Sequence, residues 1–414
     1  MTSIAWSRRD ALRLLGAGTL LAGGWPSGVA GQPRPGAGAT LRLWSNHPEW
    51  KDALRRNLDA FEQTHGIKLV LEPKPGPEYL QILSTTMQAG EGPDLPGIPP
   101  GPLLAQFLKS GYIVDLTGKV HAERLTELVQ QRVVRDGKVL GVPFGKYTVG
   151  LYYHTDVFAK HGLAAPKTWE DLKAVCRTLK QAGIGPLMMP ARDGVIPAFY
   201  YMCAASSVMG PAGFQALLAG QRRFTDPDLV AAAQLLVDLA PYYPEGFAGI
   251  SYAEGKATFA RGGTAMILGG TADYAGYVAV NKDVKLDFIA FPPPSASAGV
   301  PATVSGLELV YTVNAKSRSV DAAIQFVDWL TTPESNRLFA NSITLPTVQG
   351  VVPGGNPIWA KQVQQARHDV PTWRDVDATA PVWTALTRNM QAVLLGQLKP
   401  AELAQRAQAA LAGS

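Results

Sequence analysis

Leu41-Arg42-Leu43-Trp44, then Leu54, Leu58 and Phe61, then Gly66 and Ile67-Lys68-Leu69-Val70-Leu71: this opening decides the fold class. The first four residues alternate as a short strand, whose side chains go to opposite faces, and end in the polar loop Ser45-Asn46-His47-Pro48. Leu54, Leu58 and Phe61 mark one face of a helix, and Gly66 supplies the residue type that ends helices in a left-handed conformation. The run from Ile67 to Leu71 reads as the next strand. Strand, helix, strand predicts a parallel α/β sheet.

Working outward, helical periodicity recurs at Tyr79–Ala89 and Leu103–Ser110, and a Tyr-rich strand is expected from Val149 to Tyr153. Thr168-Trp169-Glu170-Asp171 has capping-box spacing, a hydroxyl followed three residues later by an acid. Leu172, Val175 and Leu179 continue as its buried stripe, and Gly183 closes it. A helix-to-strand transition through Gly262-Gly263 is expected between Ala257 and Ile267. Phe291 to Gly299, with three successive prolines, reads as a crossover between lobes. Later helices are expected at Asp321–Leu330, Val382–Leu395 and Pro400–Leu411, the last with Pro at its first position.

The N-terminus carries an address. Ser7-Arg8-Arg9 precedes an apolar stretch from Leu14 to Trp25, closed by the small residues Gly28-Val29-Ala30. That order is a secretory signal, and the paired arginines resemble the twin-arginine export type. Residues 1–30 are expected to be removed, 31–39 to be a Pro/Gly linker, and the mature protein to be exported to the periplasm or the outer side of the cell membrane. The stretch is too short and glycine-rich for a membrane span.

The chain has 414 residues, long enough that two domains are the natural expectation. Hydrophobic residues at 46% and aromatics at 8% exclude a largely disordered chain. The net charge of +5 raises the question of an acidic polymer partner. Arg8, Arg9, Arg13 and Asp10 leave with the signal, taking two net positive charges and leaving about +3. The remaining basic residues are spread singly, so nucleic-acid binding is disfavoured. Cys176 and Cys203 are too few for a disulfide framework. Both fall in segments that read as buried helix, which favours inert thiols or an incidental bridge over redox chemistry.

Sites for chemistry are sparse. No P-loop, GxGxxG after a strand, GxSxG elbow or HExxH occurs, and the six histidines are scattered. Neither a cofactor nor a metal is expected. Glu49, Asp94, Asp273 and Glu308 could pair in space for glycoside hydrolysis, but sequence gives no pairing and a solvated or structural role is the simpler reading. Adjacent tyrosines serve some iron binders, yet Tyr152-Tyr153 lies in a strand that sends the two rings to opposite faces.

Six segments in order carry a family resemblance. They are Phe61–Leu69, the turn Ala89-Gly90-Glu91-Gly92-Pro93-Asp94, Lys138–Pro143, Leu151–Asp156 with Pro166–Leu172, Tyr252–Ala257 with Gly263–Met266, and Ala322–Leu330 with Thr332-Pro333-Glu334. Together they resemble the extracellular solute-binding proteins of ABC importers, in the sugar-binding branch that includes maltose and glycerol-phosphate binders. The resemblance implies an α/β, two-lobed type II periplasmic-binding-protein fold with a ligand in the interlobe cleft. Chain order suggests one lobe from 40–146 plus 292–342 and the other from 147–291 plus 343–414. It also implies a non-enzymatic monomer that captures a small solute, most simply a sugar or oligosaccharide, and delivers it to membrane permease subunits. A non-sugar solute (glycerol phosphate, a polyamine or a metal complex) and a secreted carbohydrate-active enzyme stay open as alternatives.

Carried over position by position, the resemblance puts Trp44, Ser45, Asn46 and His47 at the cleft after the first strand. Tyr147 falls where maltose-type binders carry an acid, and Tyr200 roughly where they place an aromatic. The family often has Gly-x-Trp after Ala265-Met266; here Gly269-Gly270-Thr271 stands, so either Tyr274 takes over stacking beside Gly270 and Thr271 or that subsite is lost. Trp383 matches a ligand-stacking Trp. The family's aromatic, acid and arginine after Pro93-Asp94 are Ile98, Gly101 and Pro102 here, a departure that argues against maltose and implies a smaller or less polar site.

Overall fold

The computed structural model describes residues 38–74, 78–296, 302–354 and 356–413. The export signal and most of the linker lie outside the described residues. The strands are β1 (Thr40–Ser45), β2 (Lys68–Pro73), β3 (Leu95–Ile98), β4 (Val134–Arg135), β5 (Lys138–Val139), β6 (Val142–Pro143), β7 (Lys146–His154), β8 (Leu187–Met188), β9 (Met266–Gly270), β10 (Leu286–Ile289), β11 (Thr303–Leu307), β12 (Val310–Tyr311) and β13 (Asp369–Pro371). They form a five-stranded sheet ordered β2-β1-β3-β12-β6, a six-stranded sheet ordered β13-β11-β7-β9-β8 with β10 also on β7, and the hairpin β4-β5. The hairpin turns through Asp136 and Gly137, both at positive φ (51 and 73°), as a tight primed turn requires.

The first sheet follows the expected opening. β1 runs parallel to both β2 and β3, and the helix Lys51–His65 between β1 and β2 buries Leu54, Leu58 and Phe61. Gly66 ends it at φ 67°, a conformation that costs a residue with a Cβ but not glycine. Phe61 meets Phe326 edge-on, with ring centroids 5.2 Å apart, in a core shared by Leu41, Leu43, Tyr311 and Trp329.

The second sheet hangs on β7, which is buried along its whole length. Tyr152 and Tyr153 do point to opposite faces. Tyr152 packs with Ile267, Tyr277 and Phe288, while Tyr153 joins the larger core of Leu151, Leu172, Tyr200 and Trp373. The helix Trp169–Gln181 opens with the expected box: Asp171 N–H donates to Thr168 Oγ1 at 3.1 Å and Thr168 N–H to Asp171 Oδ2 at 3.0 Å. The helix Val195–Leu218 is apolar on nearly all sides and accordingly sits inside this lobe. It breaks at Gly210, φ 61° and ψ −177°, before Pro211. Cys176 and Cys203 are both buried and unbridged, and burial pushes the Cys176 thiol up to about 12.

Sheet membership moves two of the expected lobe crossings. After the prolines the chain does not change lobe. It re-enters the second sheet as β11, antiparallel to β7, and crosses only between β11 and β12, at Glu308 and Leu309. The prolines interrupt the ladder because they cannot donate to it; interruption is not departure. Val348 and Val351 still pack in the first core, so the final return follows Val351 instead of falling between 342 and 343. Among the described residues, no helix is long and apolar enough to cross a membrane.

Candidate functional site

Where the chain crosses, a cavity of about 1050 Å³ opens between the lobes. Leu307, Glu308 and Leu309 of the crossing segment line it, with Asn46, His47 and Trp50 after β1 on one side and Tyr147, Thr271, Asp273 and Arg374 on the other. That volume is at the upper end for sites that enclose a drug-sized ligand.

The residues after β1 form a short aromatic platform. The turn Pro48–Trp50 lays the His47 ring on the Trp50 indole, centroids 3.7 Å apart and planes 13° from parallel. Asn46 Oδ1 is buried without a hydrogen-bond partner among the described residues. Such an acceptor gains from any donor brought into the site.

Opposite, Asp273 begins the helix Asp273–Val280, where a carboxylate complements the helix dipole. Its Oδ2 accepts the Gly270 N–H at 2.7 Å and the Tyr252 hydroxyl, and its Oδ1 accepts Lys256 Nζ at 3.0 Å. Lys256 also lies 4.7 Å from the Tyr252 ring centroid. Thr271 Oγ1 accepts the Thr148 N–H at 3.0 Å, tying the turn after β9 to β7. Tyr147 accepts a hydrogen bond from Arg374 Nη2, and Arg374 Nε lies 3.3 Å from Asp375 Oδ1. Gly306 makes room for the Tyr147 ring, since a Cβ there would come within 2.2 Å of it.

Glu308 is the exception to this pairing. Its carboxylate is 7% exposed, and the His47 ring lies beside it, with Nε2 3.9 Å away. Burial pushes its carboxyl up to about 7, against the pull of His47 and Arg374. Beneath the cavity, Arg132 reaches from the first lobe to the Ser305 carbonyl at 3.2 Å with Nη1, while its buried Nη2 has no partner among the described residues. Arg135 pairs with Asp377 across the same junction.

Of the sequence-predicted residues, Asn46, His47, Tyr147, Gly270 and Thr271 line the cavity. Trp44, Ser45, Tyr200, Tyr274 and Trp383 do not. Trp44 turns to the opposite side of β1, where its Nε1 donates to Glu72 at 2.9 Å and Lys74 Nζ lies 4.5 Å from its ring centroid. Ser45 is fully buried and accepts the His47 N–H at 3.2 Å. Tyr200 sits one position past Phe199 on its helix, a 100° turn into the core. There its hydroxyl donates to the Met188 carbonyl at 2.7 Å and accepts the Leu268 N–H at 2.9 Å. Tyr274 is on the far side of its helix from the lining residues Ala272, Ala275, Gly276 and Ala279. Trp383 stands behind Phe199, edge to face at 4.8 Å.

Sequence reasoning missed Trp50, Phe199, Tyr252, Lys256, Arg374 and Asp375. Two signals were available. Ser251-Tyr252-Ala253-Glu254 is itself a capping box, which fixes Tyr252 at a helix start, and Phe199 precedes Tyr200 by one step on an apolar helix. Among the other suspected acids, Asp94 accepts the Arg42 N–H at 2.8 Å and binds Ser317, a structural role. No group of three His, Cys, Asp or Glu that could hold a metal occurs among the described residues.

Comparison with known proteins bears on this arrangement. Residues 44–337 match the family model of the bacterial extracellular solute-binding protein. A multiple sugar-binding protein of Streptococcus mutans is 24% identical over 306 residues, 71% of this chain and 71% of that protein. A solved chitin oligosaccharide binding protein superposes with a TM-score of 0.76 at 22% identity, covering 91% of this chain and 98% of that one. The raffinose complex of the solute-binding protein RafE does so with a TM-score of 0.75 at 21% identity, covering 90% and 98%. At these identities the superpositions speak to the two-lobed fold.

Proposed function

The chain belongs to the bacterial extracellular solute-binding protein family, and from that premise we propose that it captures a sugar or oligosaccharide in the interlobe cavity and hands it to an ABC permease. One observation carries the reading: a cavity of about 1050 Å³ whose floor is the segment on which the chain changes lobe. A solute seated there touches both lobes at once. It therefore favours the closed arrangement by its differential affinity for the two states. The polar groups suit hydroxyls, and the stacked His47–Trp50 pair suits the C–H face of a sugar ring.

A receptor role without catalysis fits the state of the three lining acids, of which Asp375 accepts the Thr372 hydroxyl and lies beside Arg374. Asp273 is engaged by three donors, and Glu308 is buried on the crossing segment. The family is extracellular, so the protein works after export; the Arg8-Arg9 signal supports delivery to the periplasm, where it acts as a monomer.

Thermal-shift measurements with chitin oligosaccharides, raffinose and xylo-oligosaccharides test the ligand class, because a specific ligand raises apparent stability by mass action. X-ray scattering with the best of them tests closure. Binding without compaction of the particle would sink the hinge mechanism, and cleavage products on long incubation would sink the receptor reading.

A further inference from the structure

The buried residues lining the cavity are of both kinds, polar and apolar, whereas the exposed ones are almost all apolar. Tyr147, Thr271, Glu308 and Asp375, which carry hydrogen-bonding groups, are buried. The exposed lining residues are Leu80, Pro102, Ala275, Gly276, Ala279 and Arg374, and five of these six have no polar side-chain atom. Leu80 is 39% exposed, and Val280, beside Ala279, is 45% exposed.

Chemistry of the chain sharpens the contrast. On the first lobe, Pro99, Pro100 and Pro102 remove backbone N–H donors as well as side-chain ones. A sugar hydroxyl pressed against that stretch would give up water with little in exchange, weakening binding on the order of tenfold for each such group. An apolar substituent placed there gains instead. On the second lobe, Ala272, Ala275, Gly276 and Ala279 leave a small-residue helix face that adds width without adding hydrogen bonds.

We propose that the solute is an amphipathic glycoside, whose sugar lies on the buried floor at Tyr147, Thr271 and Glu308 and whose aryl or alkyl substituent lies against Leu80 and Pro102 on one lobe and Ala275 and Ala279 on the other. The proposal rests on the sugar reading and narrows it to glycosides with an apolar aglycone. Free oligosaccharides then fill the floor and leave the mouth wet.

Matched pairs test it by calorimetry on the mature protein: chitobiose and lactose, each free and as its p-nitrophenyl glycoside. The expected result is at least tenfold tighter binding of the aryl member of a pair. In the double variant Leu80→Ser, Ala279→Ser the advantage should fall below threefold, while affinity for the free disaccharide stays within twofold. Equal affinity within the pairs overturns the amphipathic assignment and leaves the sugar reading standing. Binding of p-nitrophenol as tightly as its glycosides overturns the sugar reading. Failure of all these probes to bind counts against both. An aryl advantage that survives the double variant overturns the placement of the substituent at the mouth.

Discussion

The floor of the cavity and its mouth are lined by one chain in two different ways. Floor groups are buried or half-buried and mostly tied to one another: Thr271 to Thr148, Asp273 to Gly270, Lys256 and Tyr252; Tyr147 is tied to Arg374, which is itself exposed. Mouth residues such as Leu80 and Ala279 are exposed and hold no bonds to redirect. Groups already held in place lose little freedom when a solute arrives, so the floor supplies orientation. The mouth supplies contact area that tolerates variation. Changes in the floor should therefore disturb the fold, and changes in the mouth should not.

The strongest test is Asp273→Ala, which leaves Lys256 and the Gly270 N–H without their partner. A loss of about 3 kcal/mol in urea denaturation is expected, because three donors (the Gly270 N–H, the Tyr252 hydroxyl and half-buried Lys256) lose the acceptor they share. Next comes Glu308→Gln. The folded carboxyl holds its proton up to about 7, above its ordinary range. The contribution of Glu308 to stability is therefore complete below about pH 4.5 and lost as pH rises through 7. The glutamine variant should lack that slope and be more stable than the parent at pH 8, on the order of 2 kcal/mol; parallel melting curves from pH 5 to 8 would refute it. Trp383→Ala removes a ring that supports Phe199 from behind, and about 2 kcal/mol of stability should go with it while ligand affinity changes little. Gly306→Ala forces Tyr147 aside and should cost about 1–2 kcal/mol. Leu80→Ser should stay within about 0.5 kcal/mol of the parent, and a larger loss would remove the contrast between floor and mouth.

Local structure was legible in the residues that carry local signals. Leu54, Leu58, Phe61 and Gly66 delimit their helix, and Thr168 with Asp171 cap theirs, because capping and periodicity act over a few residues. The crossing at Glu308 had no such signal. β11 is fixed by pairing with β7, some 150 residues earlier in the chain. In the site, positions one residue apart on a helix diverge by about 100°. Tyr200 and Phe199, or Tyr274 and Ala275, thus exchange roles on a shift of one residue. Trp50 was passed over for Trp44 for a similar reason: the strand turns Trp44 toward Glu72, and the turn after it turns Trp50 inward.

The two sulfhydryls of the second lobe matter for what can be measured. Cys176 and Cys203 are the chain's complement of cysteine, and neither reaches solvent. A thiol placed at Leu80 and another at Ala279 would be the two that a maleimide dye finds. The separation of the rims would then become an optical signal, read molecule by molecule, on a protein that needs no native sulfur removed.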